Sequence, residues 1–117
     1  MSCPFTGTIV LIVPDVRGAV AWYTAKLDLR ESKLKFDDGA SGDVMLVSRD
    51  EQTQIVLSAE EGEPDRPILD TRSAAKSREW LLARGVAVGP VLTDRQGTHY
   101  MEMTDPYNNV IEICEEP

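Results

Sequence analysis

The feature that most constrains this chain is an internal duplication, in which one order of predicted elements occurs twice. A shift of 58 residues carries one short set onto another: Trp22 onto Trp80, Ala25 onto Ala83 and Lys26 onto Arg84. A shift of 56 does the same for later positions: Met45 onto Met101, Val47 onto Met103, Ile55 onto Ile111 and Leu57 onto Ile113. Self-similarity over half a chain predicts two copies of one structural unit.

Each copy reads as a strand, a helix and three more strands. β-branched runs and alternation predict the strands, and apolar residues at helical spacing predict the helices. In the first copy the strands are predicted at 8–13, 30–36, 44–48 and 53–58, and the helix is predicted to be capped by Asp15 and to end at Asp28. An acidic loop is predicted at 37–43, and a short linker to the second copy at 59–65. In the second copy they are predicted at 68–69, 86–92, 98–104 and 110–114, with a helix at 73–84 that Gly85 ends.

Length and charge exclude several classes of protein. With 117 residues the chain is expected to be one domain, 1–117, with modules at about 5–59 and 66–115. The net charge of −8 argues against nucleic acid as a partner. No apolar run reaches membrane-span length, no signal-peptide pattern opens the sequence, and Cys3 and Cys114 form no disulfide framework. We therefore expect a cytoplasmic protein without a membrane partner.

The last predicted strand carries an unusual carboxylate. Asp105-Pro106 opens a turn, Asn108-Asn109 tolerate left-handed backbone angles, and a strand follows. Alternation places Glu112 on one face with Val110 and Cys114, opposite the apolar isoleucines of the same strand. A carboxylate among apolar neighbours is costly unless a group pairs with it. Glu112 is therefore either on a solvated face or part of a site.

Alternation along the other strands predicts which residues share the face of Glu112. The set is an apolar groove with a few polar groups, as small-molecule sites usually are: Thr8, Val10, Ile12, Gln54, Val56, Ser58, Arg66, Ile68, Tyr100, Glu102, Glu112 and Cys114. Arg66 is the nearest cation to the two glutamates, and a buried Arg66–Glu112 ion pair is one expectation. His99 points the other way and is expected to be structural or exposed.

Two motifs give the chain a family resemblance. One is Val13-Pro14-Asp15 followed by Ala19 and Trp22-Tyr23; the other is the turn 105–109 leading into Ile111-Glu112-Ile113. With them the chain resembles the vicinal oxygen chelate superfamily of glyoxalases, bleomycin-resistance proteins and extradiol dioxygenases. The resemblance implies an α+β fold of two tandem βαβββ modules, with a curved mixed sheet around a cavity and the helices outside. It also implies a homodimer.

Enzymes of that family hold a divalent metal with four side chains, and the matching positions here are Thr8, Val56, Arg66 and Glu112. Val56 cannot coordinate a metal, and a guanidinium repels one. One carboxylate does not hold a hard divalent ion tightly. We therefore expect no metal and no cofactor.

Two functions follow from the resemblance. The first is a metal-free protein that binds or sequesters a small compound, cationic or aromatic in character, through Thr8, Gln54, Val56, Arg66, Tyr100, Glu102 and Glu112. The alternative is a metal-independent lyase or isomerase in which Glu112 or Glu102 is the general base and Arg66 stabilises an enolate-like oxygen. The sequence alone does not choose between them, so whether the chain is an enzyme stays open here.

Overall fold

The computed structural model describes residues 3–32, 42–60 and 66–117. Much of the predicted strand at 30–36, acidic loop at 37–43 and linker at 59–65 lies outside these residues. The elements run β1 Phe5–Ile12, α1 Val16–Leu27, β2 Arg30–Glu31, β3 Val44–Val47, β4 Thr53–Ser58, β5 Ile68–Thr71, α2 Ala74–Ala83, β6 Ala87–Val88, β7 Leu92–Thr93, β8 His99–Thr104 and β9 Val110–Glu115. In place of the predicted strand at 86–92 there are two short strands, β6 and β7, because Gly89-Pro90 interrupts it.

The strands form one mixed sheet in the order β2-β3-β4-β1-β5-β9-β8-β6, with β7 paired to β8. Within each module the first strand lies parallel to the last, β1 to β4 and β5 to β9, and the other pairs are antiparallel. The predicted α+β fold of two βαβββ modules is confirmed. Among the described strands the two at the ends of this order, β2 and β6, do not pair with each other, so the side away from the helices is an open face rather than an enclosed chamber.

Helix α1 forms where the sequence predicted it, and its apolar stripe faces the core. Ala19, Val20, Tyr23 and Leu27 are its buried residues. Asp15 occupies the N-cap position, but its side chain makes no capping hydrogen bond, so the predicted cap is wrong in that respect. At the other end Asp28 adopts a left-handed conformation (φ 55°), which ends the helix.

Helix α2 begins at a side-chain cap and ends at a glycine. The Ser73 hydroxyl accepts a hydrogen bond from the Lys76 amide, and Gly85 follows the helix with φ 76°. Trp80 is buried with its edge against Phe5 of β1, at 6.0 Å between ring centroids. Neither described helix has the length and apolarity needed to cross a membrane.

The two sides of the sheet follow residue parity. The buried side chains of β1, β4, β5, β8 and β9 are nearly all odd-numbered, and they pack with both helices into one core that spans the modules: Phe5, Ile9, Leu11, Ile55, Leu57, Leu69, Met101, Met103, Ile111 and Ile113. The even-numbered side chains of these strands therefore form the open face. This is the division that alternation predicted.

One part of the predicted repeat is wrong by one residue. β4 maps onto β9 by 56, as predicted, since Leu57 pairs with Val44 and its equivalent Ile113 pairs with Met101. Val44 is therefore the equivalent of Met101, at a shift of 57, and Met45 does not correspond to Met101. Because a one-residue shift exchanges the faces of a strand, Met45 lies on the open face, beside Val56.

The helices of the two modules meet at their C-terminal ends through a reciprocal contact, which we call the helix clasp. The Lys26 ammonium donates a hydrogen bond to the Arg84 carbonyl oxygen at 2.9 Å, and the Arg84 guanidinium donates to the Ala25 carbonyl oxygen at 3.2 Å. The Arg84 guanidinium also lies over the Trp80 ring, 4.3 Å from its centroid. Cations at helix C-terminal carbonyls stabilise the helix dipole, so each helix contributes to the end of the other.

Candidate functional site

The open face combines exposed apolar side chains with a few charged ones. Val10, Ile68, Leu92 and Val110 are 43–47% exposed, and they belong to β1, β5, β7 and β9. Single exposed apolar residues are common on protein surfaces, but several on one sheet face indicate a binding surface.

The charged part of the open face lies in module two. Glu112 is flanked by Ile68 of β5 on one side and by Glu102 of β8 directly opposite it on the other. The Arg66 guanidinium donates a hydrogen bond to a Glu112 carboxylate oxygen at 3.1 Å. The Glu112 side chain is 14% exposed and that of Arg66 is 69% exposed. The ion pair therefore exists, but the expectation that it is buried is wrong, because Arg66 reaches Glu112 from the solvent side.

Tyr100 and Cys114 are cross-strand neighbours next to this charged group. Tyr100 is half-buried, and its strand partners are Cys114 of β9 and Leu92 of β7. Burial raises the pKa of the Cys114 thiol, and the carboxylates of Glu112 and Asp70 raise it further. Cys114 is thus a protonated thiol at neutral pH, whereas the thiolate is the nucleophilic form.

The module-one part of the open face is uncharged at the predicted positions. Thr8 and Gln54 are strand partners, and the Thr8 hydroxyl donates to the Gln54 side-chain oxygen at 3.3 Å. One step along, Val56 lies between Val10 of β1 and Met45 of β3. Of the seven predicted ligand-binding residues, the structure thus pairs Thr8 with Gln54 in one module and groups Arg66, Glu102 and Glu112 in the other.

The four positions that match the family's metal ligands do not fit a metal ion. Val56 offers only carbon, and Arg66 donates its protons to the one carboxylate, Glu112. Among residues 3–32, 42–60 and 66–117, no group of three or more His, Cys, Asp or Glu side chains is placed to hold a metal. The absence of a metal and of a cofactor stays a prediction.

His99 lies at the exposed start of β8, where its Nδ1 shares a hydrogen bond of 3.0 Å with the Thr93 hydroxyl. The neighbouring Met101 and Met103 are fully buried in the core. The structure therefore confirms an exposed histidine that takes no part in the open face.

One cavity, of about 680 Å³, lies away from the open face and was not predicted. Its walls come from the start of β1, the turn before β4, the start of α2 and the end of the chain: Cys3, Pro4, Phe5, Thr6, Asp50, Gln52, Thr71, Arg72, Ser73, Lys76, Ser77 and Glu116. None of the predicted site residues lines it. No sequence signal would have found it, since four separate segments contribute a few residues each.

Sequence reasoning also missed Met45 and Leu92 as members of the open face. Met45 was misplaced by the one-residue error in the repeat. Leu92 follows the break at Gly89-Pro90, where the alternation of the preceding strand no longer predicts which side a residue faces.

Solved structures confirm the fold. A member of the glyoxalase/bleomycin resistance protein/dioxygenase superfamily from Sphaerobacter thermophilus DSM 20745 matches with a TM-score of 0.73 and 24% identity, over 95% of this chain and 96% of that one. TnmS3, an antibiotic binding protein from Streptomyces sp. CB03234, matches with a TM-score of 0.72 and 20% identity, over 100% of this chain and 99% of that one. At these identities the likeness shows the fold alone.

An integron cassette protein from the mobile metagenome of Halifax Harbour sewage outfall matches with a TM-score of 0.74 and 16% identity, over 95% of this chain and 97% of that one. No protein with a curated description matches the sequence significantly. The sequence itself, however, fits a family model over residues 6–113, which include both modules and the turn that leads into β9. The chain therefore belongs to the Glyoxalase/Bleomycin resistance protein/Dioxygenase superfamily.

Proposed function

We propose that this protein binds a small organic compound on its open face without the help of a metal, and that the compound carries a positive charge on a flat apolar body. The observation that carries the proposal is the setting of Glu112. This carboxylate is 14% exposed and lies among apolar side chains that are themselves exposed, Ile68 and Val110.

The charges on the open face support a cationic ligand. Glu102 and Glu112 are directly opposite each other on adjacent strands, and like charges so placed destabilise the sheet. Arg66 offsets part of this repulsion, but it does so with a largely solvated side chain that a ligand can displace. A cation that replaces Arg66 at Glu112 would keep the charge balance while its body covers the apolar residues.

Precedent within the fold supports binding rather than catalysis. One similar structure is described as an antibiotic binding protein. For this chain the four family metal positions include Val56 and Arg66, so Glu112 is the one carboxylate left to hold the Lewis acid that the family's enzymes use. The proposed binding therefore requires no side chain that reacts with the ligand.

Three probes with one ring system test the charge requirement. N-methylacridinium is a permanent cation, acridine is neutral at mildly alkaline pH, and acridine-9-carboxylate is an anion. Calorimetric titration should show saturable binding of the cation and weaker binding of the other two. Glu112→Gln should weaken cation binding at least about tenfold, because a charge-assisted contact contributes about 1.5–3 kcal/mol and about 1.4 kcal/mol is tenfold. Glu79→Gln, an exposed site on α2, is the control and should leave binding unchanged.

Equal affinity for the three probes, or wild-type affinity in Glu112→Gln, would contradict the proposal. Elemental analysis after gentle purification tests the metal-free part. We expect far less than one equivalent of zinc, nickel, iron or manganese per chain. One full equivalent would mean that the metal positions were assigned wrongly.

A second candidate is a metal-independent lyase or isomerase. It is favoured by the position of Glu102 directly opposite Glu112 and by the Arg66 guanidinium, which lies 3.1 Å from a Glu112 carboxylate oxygen. One glutamate would remove a carbon-bound proton and Arg66 would stabilise the enolate-like oxygen. Its test is proton NMR in deuterium oxide with a panel of α-hydroxyketones. Catalysed exchange that Glu112→Gln or Glu102→Gln abolishes would favour the enzyme, and no exchange would favour binding alone.

The proposal includes a homodimer, as the family resemblance implies. Sedimentation equilibrium over a range of concentrations measures the state directly. A mass of one chain at all concentrations would contradict it.

A further inference from the structure

The turn before β9 contains a buried carboxylate whose hydrogen bonds are unusually complete. Asp105 is 4% exposed. One of its oxygens accepts hydrogen bonds from the backbone amides of Tyr107 at 2.9 Å and Asn109 at 2.8 Å. The other accepts from the Tyr23 hydroxyl at 2.6 Å and the Asn109 side-chain amide at 3.0 Å. A buried carboxylate needs such partners, and together they fix the shape of the turn.

Two contacts of this turn join the modules. Tyr23 belongs to α1 of module one, whereas Asp105 and Asn109 belong to module two. The Asn109 amide also donates to the carbonyl oxygen of Ile12, at the end of β1, at 3.1 Å. The turn is therefore attached to the helix and to the first strand of the other module at once.

These contacts lie at one end of the seam between the modules, the line along which the two halves of the sheet meet. The two halves of the sheet meet where β1 pairs with β5, and this ladder includes only Phe5 with Thr71 and Thr6 with Asp70. Those pairs lie at the start of β1, whereas Asn109 holds Ile12 at its end. The seam is thus fastened by a two-pair ladder at one end and by the Asp105 turn at the other.

We propose that Tyr23, Asp105 and Asn109 form a latch that positions β9, and with it Glu112, against module one. Asn109, the latch residue nearest to Glu112 in sequence, directly precedes β9 and lies three residues before Glu112. None of its members lies on the open face, so they are positioning residues that act through β9. The inference rests on the proposed function, since it concerns how the two halves of the ligand-binding face are aligned.

Tyr23→Phe is the variant that tests the latch with the smallest change. It removes one hydroxyl, keeps the buried ring, and leaves Asp105 with three hydrogen bonds. Thr24→Val is the matched control, since it removes a hydroxyl from the next position of α1 whose hydrogen bonds are to Val20 and Ala21 of the same helix. Circular dichroism confirms that both variants are folded.

Two measurements are made on each variant. The first is hydrogen exchange without ligand and without denaturant, compared between peptides from the seam (β1, β5 and β9) and peptides from α2. A latch predicts that Tyr23→Phe speeds exchange at the seam about tenfold or more, with much less change in α2, because opening is local. The second is N-methylacridinium affinity, which should fall severalfold in Tyr23→Phe and stay unchanged in Thr24→Val.

Each result decides the inference. Equal acceleration in the seam and α2 would show a general loss of stability and overturn it, as would unchanged exchange at the seam. Faster seam exchange with wild-type affinity would overturn the positioning role. If the wild-type protein does not bind the probe, the proposed function fails by itself, and seam exchange alone then decides whether the latch exists.

Discussion

Replacing Arg66 by alanine should cost little stability, about 1 kcal/mol or less. A pair with both partners buried would lose about 3–5 kcal/mol when one partner is removed, because the remaining charge is left desolvated. The Arg66 side chain is 69% exposed, and exposed pairs contribute about 0.2–1 kcal/mol. The Glu112 side chain is only 14% exposed, but in Arg66→Ala water would take the place of the guanidinium next to its carboxylate.

Urea denaturation of four proteins measures this contribution: wild type, Arg66→Ala, Glu112→Gln and the double variant. The double-mutant cycle isolates the interaction between the two side chains from their separate effects. We expect a coupling below about 1 kcal/mol that shrinks further at high salt, since water and ions screen the pair. Arg95→Ala, an exposed arginine in the turn between β7 and β8, is the control for losing a surface cation.

A loss of about 3 kcal/mol or more for Arg66→Ala, insensitive to salt, would refute this reasoning. It would mean that the pair is desolvated in solution, for example beneath a second subunit. The same variant has an opposite consequence for ligand binding. Because Arg66 competes with a cationic ligand for Glu112, Arg66→Ala should tighten the binding of N-methylacridinium, whereas Glu112→Gln weakens it.

Three further outcomes are expected. Gly7→Ala should lower the free energy of unfolding by about 1–3 kcal/mol, and by more than Gly97→Ala does. Both glycines have positive φ, but of the two only Gly7 would place its new Cβ against a side chain, 3.2 Å away. Equal losses in urea denaturation would contradict this. Ile111→Ala, fully buried, should cost about 2–5 kcal/mol in the same assay. Burial raises the pKa of both Cys3 and Tyr23, the latter also through Asp105, so the unfolded chain releases these protons first. Stability should therefore be retained below about pH 9, the ordinary value for a thiol, and fall above it by up to about 1.4 kcal/mol per pH unit and group; unfolding midpoints that stay constant at alkaline pH would contradict this.

Most of the fold could be predicted because two periodic signals agree. Alternation placed the odd-numbered residues of five strands in the core, and helical spacing identified both helices. The repeat failed only at β3, where a run of four apolar residues, 44–47, has no polar member to show which side is solvated. Pairing with β4 decides the face there, and pairing is a long-range property that the run itself does not contain.

The sequence predicted which residues of the candidate site are neighbours, but not how exposed to solvent each of them is. The repeat predicted Arg66 near Glu112, and alternation predicted Glu102 and Glu112 on one face of adjacent strands; the structure has both, with the two glutamates directly opposite each other. Burial depends instead on what covers each side chain, and an arginine placed before β5 reaches its partner from solvent. The Asp105 turn shows the same difference, since its motif predicted a turn while the tyrosine that holds it lies 82 residues earlier in the chain.

The helix clasp has a consequence for how such a chain can arise. Lys26 and Arg84 are equivalent positions 58 residues apart, and each donates to a carbonyl at the end of the other's helix. Reciprocal contacts of this kind, in which the first residue meets the second and the second meets the first, characterise interfaces between identical subunits related by a two-fold axis. A half-length chain with either helix would carry both the cation and the carbonyls that receive it. Two copies of such a chain would therefore hold every group that this contact uses, and fusion of their genes would add none to it.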